Sequence, residues 1–247
     1  MPRIRQSAAV FTTEIWPAVR DITGWMTEGQ GRMLSQAARM VPDDEAIVEI
    51  GSHHGRSTIV LSKSKAPGVQ VTAVDPFDDP RWGGGSESLA IFEENLRRAG
   101  VADQVELFRG FGEAAARSWT GRPVGLLYVD GAHDFPTVER EINAWVPHLS
   151  PRARVLFHDT FSSPGVTRAV LSTVGIWKDF SYSGRSRSLA MFERVPALSA
   201  PARVAKLARL ALEAPYFARN LCVKIAMRRN RPALVRLLGH TEPTSPY

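Results

Sequence analysis

Cysteine is almost absent from this 247-residue chain, where Cys222 stands alone. One thiol excludes an intrachain disulfide and a cysteine-rich zinc module, and it fits a reducing, cytoplasmic setting. No apolar run approaches the roughly 20 residues that a membrane-spanning helix needs. The N-terminus, MPRIRQSAAVFTTEIWPAV, starts basic but holds neither a clean apolar stretch nor a small-residue cleavage site, so no signal peptide is read there. No internal repeat is visible. The G-x-G-x-x-G fingerprint of a dinucleotide site is also missing. What remains is ordinary: 44% hydrophobic and 23% charged residues, which excludes a disordered chain. Acidic residues are scarce at one end. From Arg194 onward 10 Lys/Arg accompany 2 Asp/Glu, a balance of +8, whereas the preceding 193 residues carry 21 basic and 23 acidic side chains, a balance of −2. The net charge of +6 belongs to the tail.

Short apolar runs alternate with helical patterns. Residues 10–40 read as helical. AIVEIG, VQVTAVD, QVELFRG, VGLLYVD and ARVLFHDT read as strands, each followed by a helix-like segment. DFSYS and SLAMFERV alternate as a closing antiparallel pair. The fold class expected is α/β: a doubly wound, Rossmann-like, mainly parallel seven-stranded sheet with a C-terminal helical appendage. The domain boundaries expected are 1–40 for an N-terminal helical segment, 41–195 for the core and 196–247 for a basic helical tail. Ligands of such sheets sit beyond the carboxyl ends of the strands. The polar residues there are Glu49, Asp75, Asp130, His133, His158 and Asp159. The loop DPFDDPRWGGGSES, residues 75–88, follows a strand end and can act as a lid, with Trp82 closing over a ligand.

Within VEIGSHHGRST, residues 48–58, the glycines are spaced G-x-x-x-G. That loop is wider than a pyrophosphate cradle and carries the bulky His53, His54 and Arg56, so it suits a ligand with a zwitterionic end. Gly51 lets the backbone approach closely, Ser57 can bind a carboxylate and Glu49 can position an amino group. Asp75 stands where an acidic residue accepts both hydroxyls of a ribose. The plainer alternative is a strand-to-helix turn whose glycines serve geometry alone, with His53 and His54 facing solvent. VEIGSHHGRST, VTAVDPF and VELFRGFGEA, taken in order, resemble the class I S-adenosylmethionine-dependent methyltransferases over roughly residues 25–193. The resemblance implies that Glu49, Gly51, Ser52 and Ser57 line the methionine half of the cofactor. It implies that Asp75 takes the ribose, Phe111 flanks the adenine, and Asp130 closes the cofactor site.

YVDGAHD and LFHDT end the fourth and fifth strands. A carboxylate-rich site suits Mg²⁺, and a histidine at the rim suits a transition metal. A sugar hydroxyl is a weak acid with a pKa near that of water, about 16, and a divalent ion bound to it brings that down by several units. An imidazole can then take the proton. D-G-A-H followed by H-D resembles the metal-dependent sugar O-methyltransferases of the macrocin and macrolide-sugar type. By that resemblance His133 is the general base and Asp130 and Asp159 hold Mg²⁺ or another divalent cation, with His158 either a third ligand or a group that orients a water. His158 departs from the acidic residue the family carries there. Asp130 and Asp134 have a simpler alternative role as caps of the helix beginning PTVEREI.

The tail has apolar residues at approximate helical spacing with Arg and Lys between. It can pack on the core, on a second subunit of a homodimer, or on an anionic membrane surface. No nucleic-acid module is recognisable. The activity expected is S-adenosylmethionine-dependent, Mg²⁺-assisted O-methylation of a hydroxyl on a small-molecule or oligosaccharide acceptor. A sugar or glycoside leads, such as a methylmannose polysaccharide, a glycolipid or an antibiotic sugar. A catechol-like metabolite is the second enzymatic reading, and a non-catalytic membrane-associated member of the fold is the reading from another class.

Overall fold

The computed structural model describes residues 9–80 and 84–241. Trp82, expected in a lid, lies outside them. After a turn of π-helix at Phe11–Ile15 come α1 (Trp16–Val19) and α2 (Glu28–Ala38). Then follow β1 (Ala46–Ile50), α3 (Arg56–Ser64), β2 (Gln70–Asp75), α4 (Ser88–Ala99), β3 (Val105–Arg109) and α5 (Gly112–Arg117). The chain continues through β4 (Val124–Val129), α6 (Phe135–Trp145), β5 (Leu149–Phe157) and α7 (Pro164–Ser172). The antiparallel strands β6 (Phe180–Ser186) and β7 (Leu189–Arg194) come next, then α8 (Ala200–Ala211), α9 (Ala214–Arg228) and α10 (Pro232–Leu237).

The sheet has seven strands in the order β3-β2-β1-β4-β5-β7-β6. The first five are parallel, and β7 joins β5 antiparallel. This is the doubly wound sheet expected. β1 and β4 are buried along their whole length, as strands covered on both faces must be. The two-residue period of a strand sorts their side chains between two cores. Val48, Ile50, Leu127, Val129, Val155 and Phe157 face one core with Trp145 of α6. Ile47, Leu126, Tyr128 and Leu156 face the other with Leu34 of α2 and Ile59 of α3. Burying each large side chain contributes about 1.5–3 kcal/mol. The same alternation carries past the strand ends. Glu49, Asp130 and His158 fall in step with Ile47, Tyr128 and Leu156, on the side of α2 and α3.

The order reverses between β1 and β4, so the crevice at their carboxyl ends is the place for a ligand. The tail packs on this body. Lys206 of α8 is buried, and its Nζ donates to the carbonyls of Val174, Trp177 and Phe180 at 3.3, 2.6 and 3.0 Å. Asn220 of α9 is fully buried and donates to the Phe161 carbonyl at 2.9 Å. Glu213 accepts from Tyr182 and Arg185 of β6. Among the described residues no helix is long and apolar enough to cross a membrane.

Candidate functional site

Gly51, φ 87°, and Gly55, φ 84°, bend the chain out of β1 and into α3. Both angles lie in the left-handed region that disfavours side chains. A Cβ on Gly51 would collide with the Asp130 carbonyl oxygen, and one on Gly55 would stand 2.7 Å from Leu96 Cδ1. The turn is tied to the next strand end. The N–H groups of Ser52 and His53 both donate to Asp75 Oδ2 at 2.8 Å, and Phe77 N–H donates to Oδ1 at 2.6 Å. His53 stacks on His54 with ring centroids 3.8 Å apart, and the Trp25 ring lies 5.3 Å from His53. Arg56 holds the Trp25 loop in place by donating to the carbonyls of Gly24 and Arg20.

These groups wall one cavity of about 760 Å³. Gly51, Ser52, Ser57, Asp75, Phe111, Asp130, His133, His158 and Asp159 all line it. Nine of the ten residues picked out from sequence therefore meet at one crevice. Glu49 does not line it. It is fully buried, accepts a short hydrogen bond from Thr58 Oγ1, and keeps Oε1 without a hydrogen bond. Burial pushes its carboxyl up to about 7, against the hydroxyls of Ser57, Thr58 and Ser52, which pull it down. Glu49 braces the start of α3 from behind.

At the far wall, β4 and β5 pair in register with Val129 opposite Phe157, and His158 N–H donates to the Val129 carbonyl at 3.0 Å. This register brings the two motifs together. His158 Nδ1 lies 3.1 Å from Asp130 Oδ1 and 3.6 Å from Asp159 Oδ1. Asp130 Oδ2 accepts from the Tyr128 hydroxyl at 2.8 Å. His133 Nε2, half exposed on the cavity wall, lies 3.3 Å from Asp159 Oδ2. Burial works to raise the Asp130 carboxyl, but His158 and Tyr128 outweigh it and hold the group below its usual range. Burial works to lower His158, and the carboxylates of Asp130 and Asp159 push it up to about 9. Asp159 sits at φ 60° and Phe161 at φ 62°, in a turn clamped by Ser162 Oγ on Asp159 Oδ1, Thr167 on Phe161 N–H and Asn220 on the Phe161 carbonyl. Asp134, not Asp130, caps α6, accepting from Thr137 N–H at 3.0 Å.

The Mg²⁺ expected on Asp130, His158 and Asp159 does not fit this donor set. Asp130 answers His158 on one oxygen and the Tyr128 hydroxyl on the other, Asp159 Oδ1 answers Ser162, and His158 is enclosed by protein groups on both ring nitrogens, which leaves only Asp159 Oδ2, buried without a hydrogen bond, open to a ligand. Among the described residues no cluster of three or more His, Cys, Asp or Glu side chains is arranged to hold a metal ion.

Two contributors escaped the sequence reading. Gln30, on α2, is fully buried, and its Nε2 lies 3.2 Å from His158 Nε2. A separation of 128 residues leaves no local signal of that meeting. Glu141, on α6, lines the cavity beside Gly112 and is 4% exposed, with Oε2 lacking a hydrogen-bond partner. Burial and then Asp134 push its carboxyl up to about 7. One turn on, Trp145 Nε1 donates to the Gly112 carbonyl at 2.9 Å. Together they support the Gly110–Gly112 turn from which Phe111, 46% exposed, projects. The sequence marks this segment as a helix, but not which turn it would brace.

Residues 48–160 match the model of a methyltransferase-domain family. An uncharacterized protein of Sinorhizobium fredii is 31% identical over 149 residues, which span 56% of this chain and 15% of that protein. An O-methyltransferase of Streptomyces achromogenes involved in tomaymycin synthesis, solved with S-adenosylmethionine, superposes with a TM-score of 0.58. It is 18% identical, over 75% of this chain and 90% of that one. A Bacillus cereus O-methyltransferase solved with S-adenosylhomocysteine superposes with a TM-score of 0.58 at 16% identity, over 79% of this chain and 91% of that one.

Proposed function

We propose that this chain, a class I methyltransferase by its domain and its fold, moves the methyl group of S-adenosylmethionine to a hydroxyl oxygen, with a sugar or glycoside as acceptor. The observation that carries the reading is His133, 3.3 Å from Asp159, on the wall of the same cavity as the Gly51 turn. The cradle suits the cofactor. Its backbone at Gly51 leaves no room for a Cβ, and Ser52 lines the cavity beside it. Gly51 and Ser52 face the methionine part, Asp75 the ribose and Phe111 the adenine. When bound, the sulfonium supplies an already activated methyl group, so the protein's task is to align the acceptor and take its proton.

His133 has the position for that second task. Asp159 Oδ2 lies 3.3 Å from Nε2 and favours an N–H there, which leaves Nδ1 to accept the acceptor's proton. The buried carboxylate then stabilises the imidazolium that results. Trp25, 47% exposed at the cavity mouth, offers an apolar face with a polar edge, which suits the C–H face of a sugar ring. Its reading as a platform also covers a planar phenol, so acceptor panels of both kinds belong in the test.

Calorimetry with S-adenosylmethionine and S-adenosylhomocysteine checks the cofactor, and release of S-adenosylhomocysteine against glycoside and catechol panels checks the acceptor. His133→Ala is expected to leave cofactor affinity nearly unchanged and to cost roughly 10²- to 10⁴-fold in turnover. Full turnover in that variant removes His133 from the base role, and a chain that binds neither cofactor form is not a methyltransferase.

A further inference from the structure

The Thr27 capping box at the start of α2 settles which way the Gln30 amide points. Gln30 Oε1 lies 2.7 Å from the Thr27 backbone nitrogen and 2.9 Å from its hydroxyl. A backbone N–H can only donate, so that atom of Gln30 is the acceptor oxygen. The NH₂ group therefore faces the core. It lies 3.2 Å from Ser188 Oγ and 3.2 Å from His158 Nε2. On the other side of the ring, Nδ1 carries a proton toward Asp130 Oδ1 at 3.1 Å. Neither nitrogen then has a lone pair to give. The carboxylates draw a second proton to the ring, but on Nε2 that proton would face the Gln30 N–H donor at 3.2 Å, so the form this frame holds is the neutral ring with its Nε2 lone pair taken up by Gln30. The ring has no room to turn, since His158 is 3% exposed.

We propose that the acidic pair at the ends of β4 and β5 works without a divalent cation, and that His158, locked between Gln30 and Asp130, fills the place in the hydrogen-bond frame that the sequence resemblance assigned to a metal ion. The carboxylates are balanced by N–H and O–H donors instead. Asp130 is served on its two oxygens by His158 and Tyr128 and Asp159 Oδ1 by Ser162, so a single oxygen, Asp159 Oδ2, buried without a hydrogen bond 3.3 Å from His133 Nε2, stays open, where a divalent ion needs about six ligands. Aligning an acceptor on this frame falls to hydrogen bonds, and His133 takes the proton without a Lewis acid at the hydroxyl.

Metal binding is read without turnover, so the result stands apart from whether the chain transfers methyl groups. Full-length protein stripped with a chelator is titrated with Mn²⁺ while free ion is followed by electron paramagnetic resonance, with and without S-adenosylhomocysteine. Wild type is expected to take up no Mn²⁺ up to about 1 mM, the weak end of carboxylate sites. His158→Asp supplies a third carboxylate with open lone pairs and is expected to bind Mn²⁺ at least about tenfold more tightly. Adding Asp159→Asn to that variant is expected to abolish the gain. One Mn²⁺ per wild-type chain, displaced by Mg²⁺ and lost in Asp159→Asn, overturns the proposal. The wild-type titration decides this even if His158→Asp does not fold.

Discussion

At the scale of single residues, the site rests on groups that touch one another across long sequence distances. Gln30→Leu removes a donor from Ser188 and His158 and the half of the α2 capping box that answers Thr27 N–H. Buried partners left unsatisfied cost about 1–3 kcal/mol, so denaturant unfolding should show a loss of that size. Glu141 gives a pH-dependent test. Its carboxyl is raised from 4.5 to about 7 in the folded chain, so the folded state holds that proton more tightly than the unfolded one. Stability from this group is therefore intact below about pH 4.5, declines as pH climbs toward 7, and stays reduced above. Glu141→Gln, which carries no charge to bury, should be nearly neutral at pH 5 and gain roughly 1–3 kcal/mol at pH 8. Equal effects at the two pH values would contradict the sign. Sequence pattern located Asp75, Asp130, His133 and Asp159 at the crevice, because a strand end states its own position. It could not see that Glu49 is buried against Thr58 and does not line the cavity. That depends on which face of β1 meets α3, and an apolar run such as AIVEI looks the same from both sides.

At the scale of elements, the parallel strands were legible because AIVEI, VTAVD and VGLLYV are mostly apolar, as strands covered on both faces are. The closing pair was legible as antiparallel from its alternation. Its insertion order was not, since nothing local says that β7 rather than β6 lies against β5. The Gly51 turn is the element most sensitive to a single atom. Gly51→Ala drives a methyl group into the Asp130 carbonyl at a left-handed φ, so cofactor affinity should fall by at least about tenfold, with a lowered melting temperature. Calorimetry and a thermal melt measure the two effects. The tail helices follow a different logic. Their basic residues read as a solvated face, yet Lys206 is buried and spends its ammonium on three carbonyls beyond α7. Lys206→Met keeps the stem and orphans those carbonyls, and should cost about 1–3 kcal/mol.

At the scale of the whole molecule, α8 and α9 are built into the body, not hung from it. Leu210 sits in the same core as Trp145 and Phe157, and Asn220 grips the turn that bears Asp159. Calorimetry should therefore record a single unfolding transition for core and tail together, and an earlier separate melt of the C-terminal helices would contradict this. The pairing of Val129 with Phe157 carries a consequence for how such a chain can change over generations. Losing one codon from β5 would leave an apolar strand that still pairs, but it would swap the two faces, sending His158 into the wrong core and Asp159 away from His133. Point substitutions can drift through β5, whereas single-residue insertions and deletions there should be purged, with length changes pushed into the surface turns.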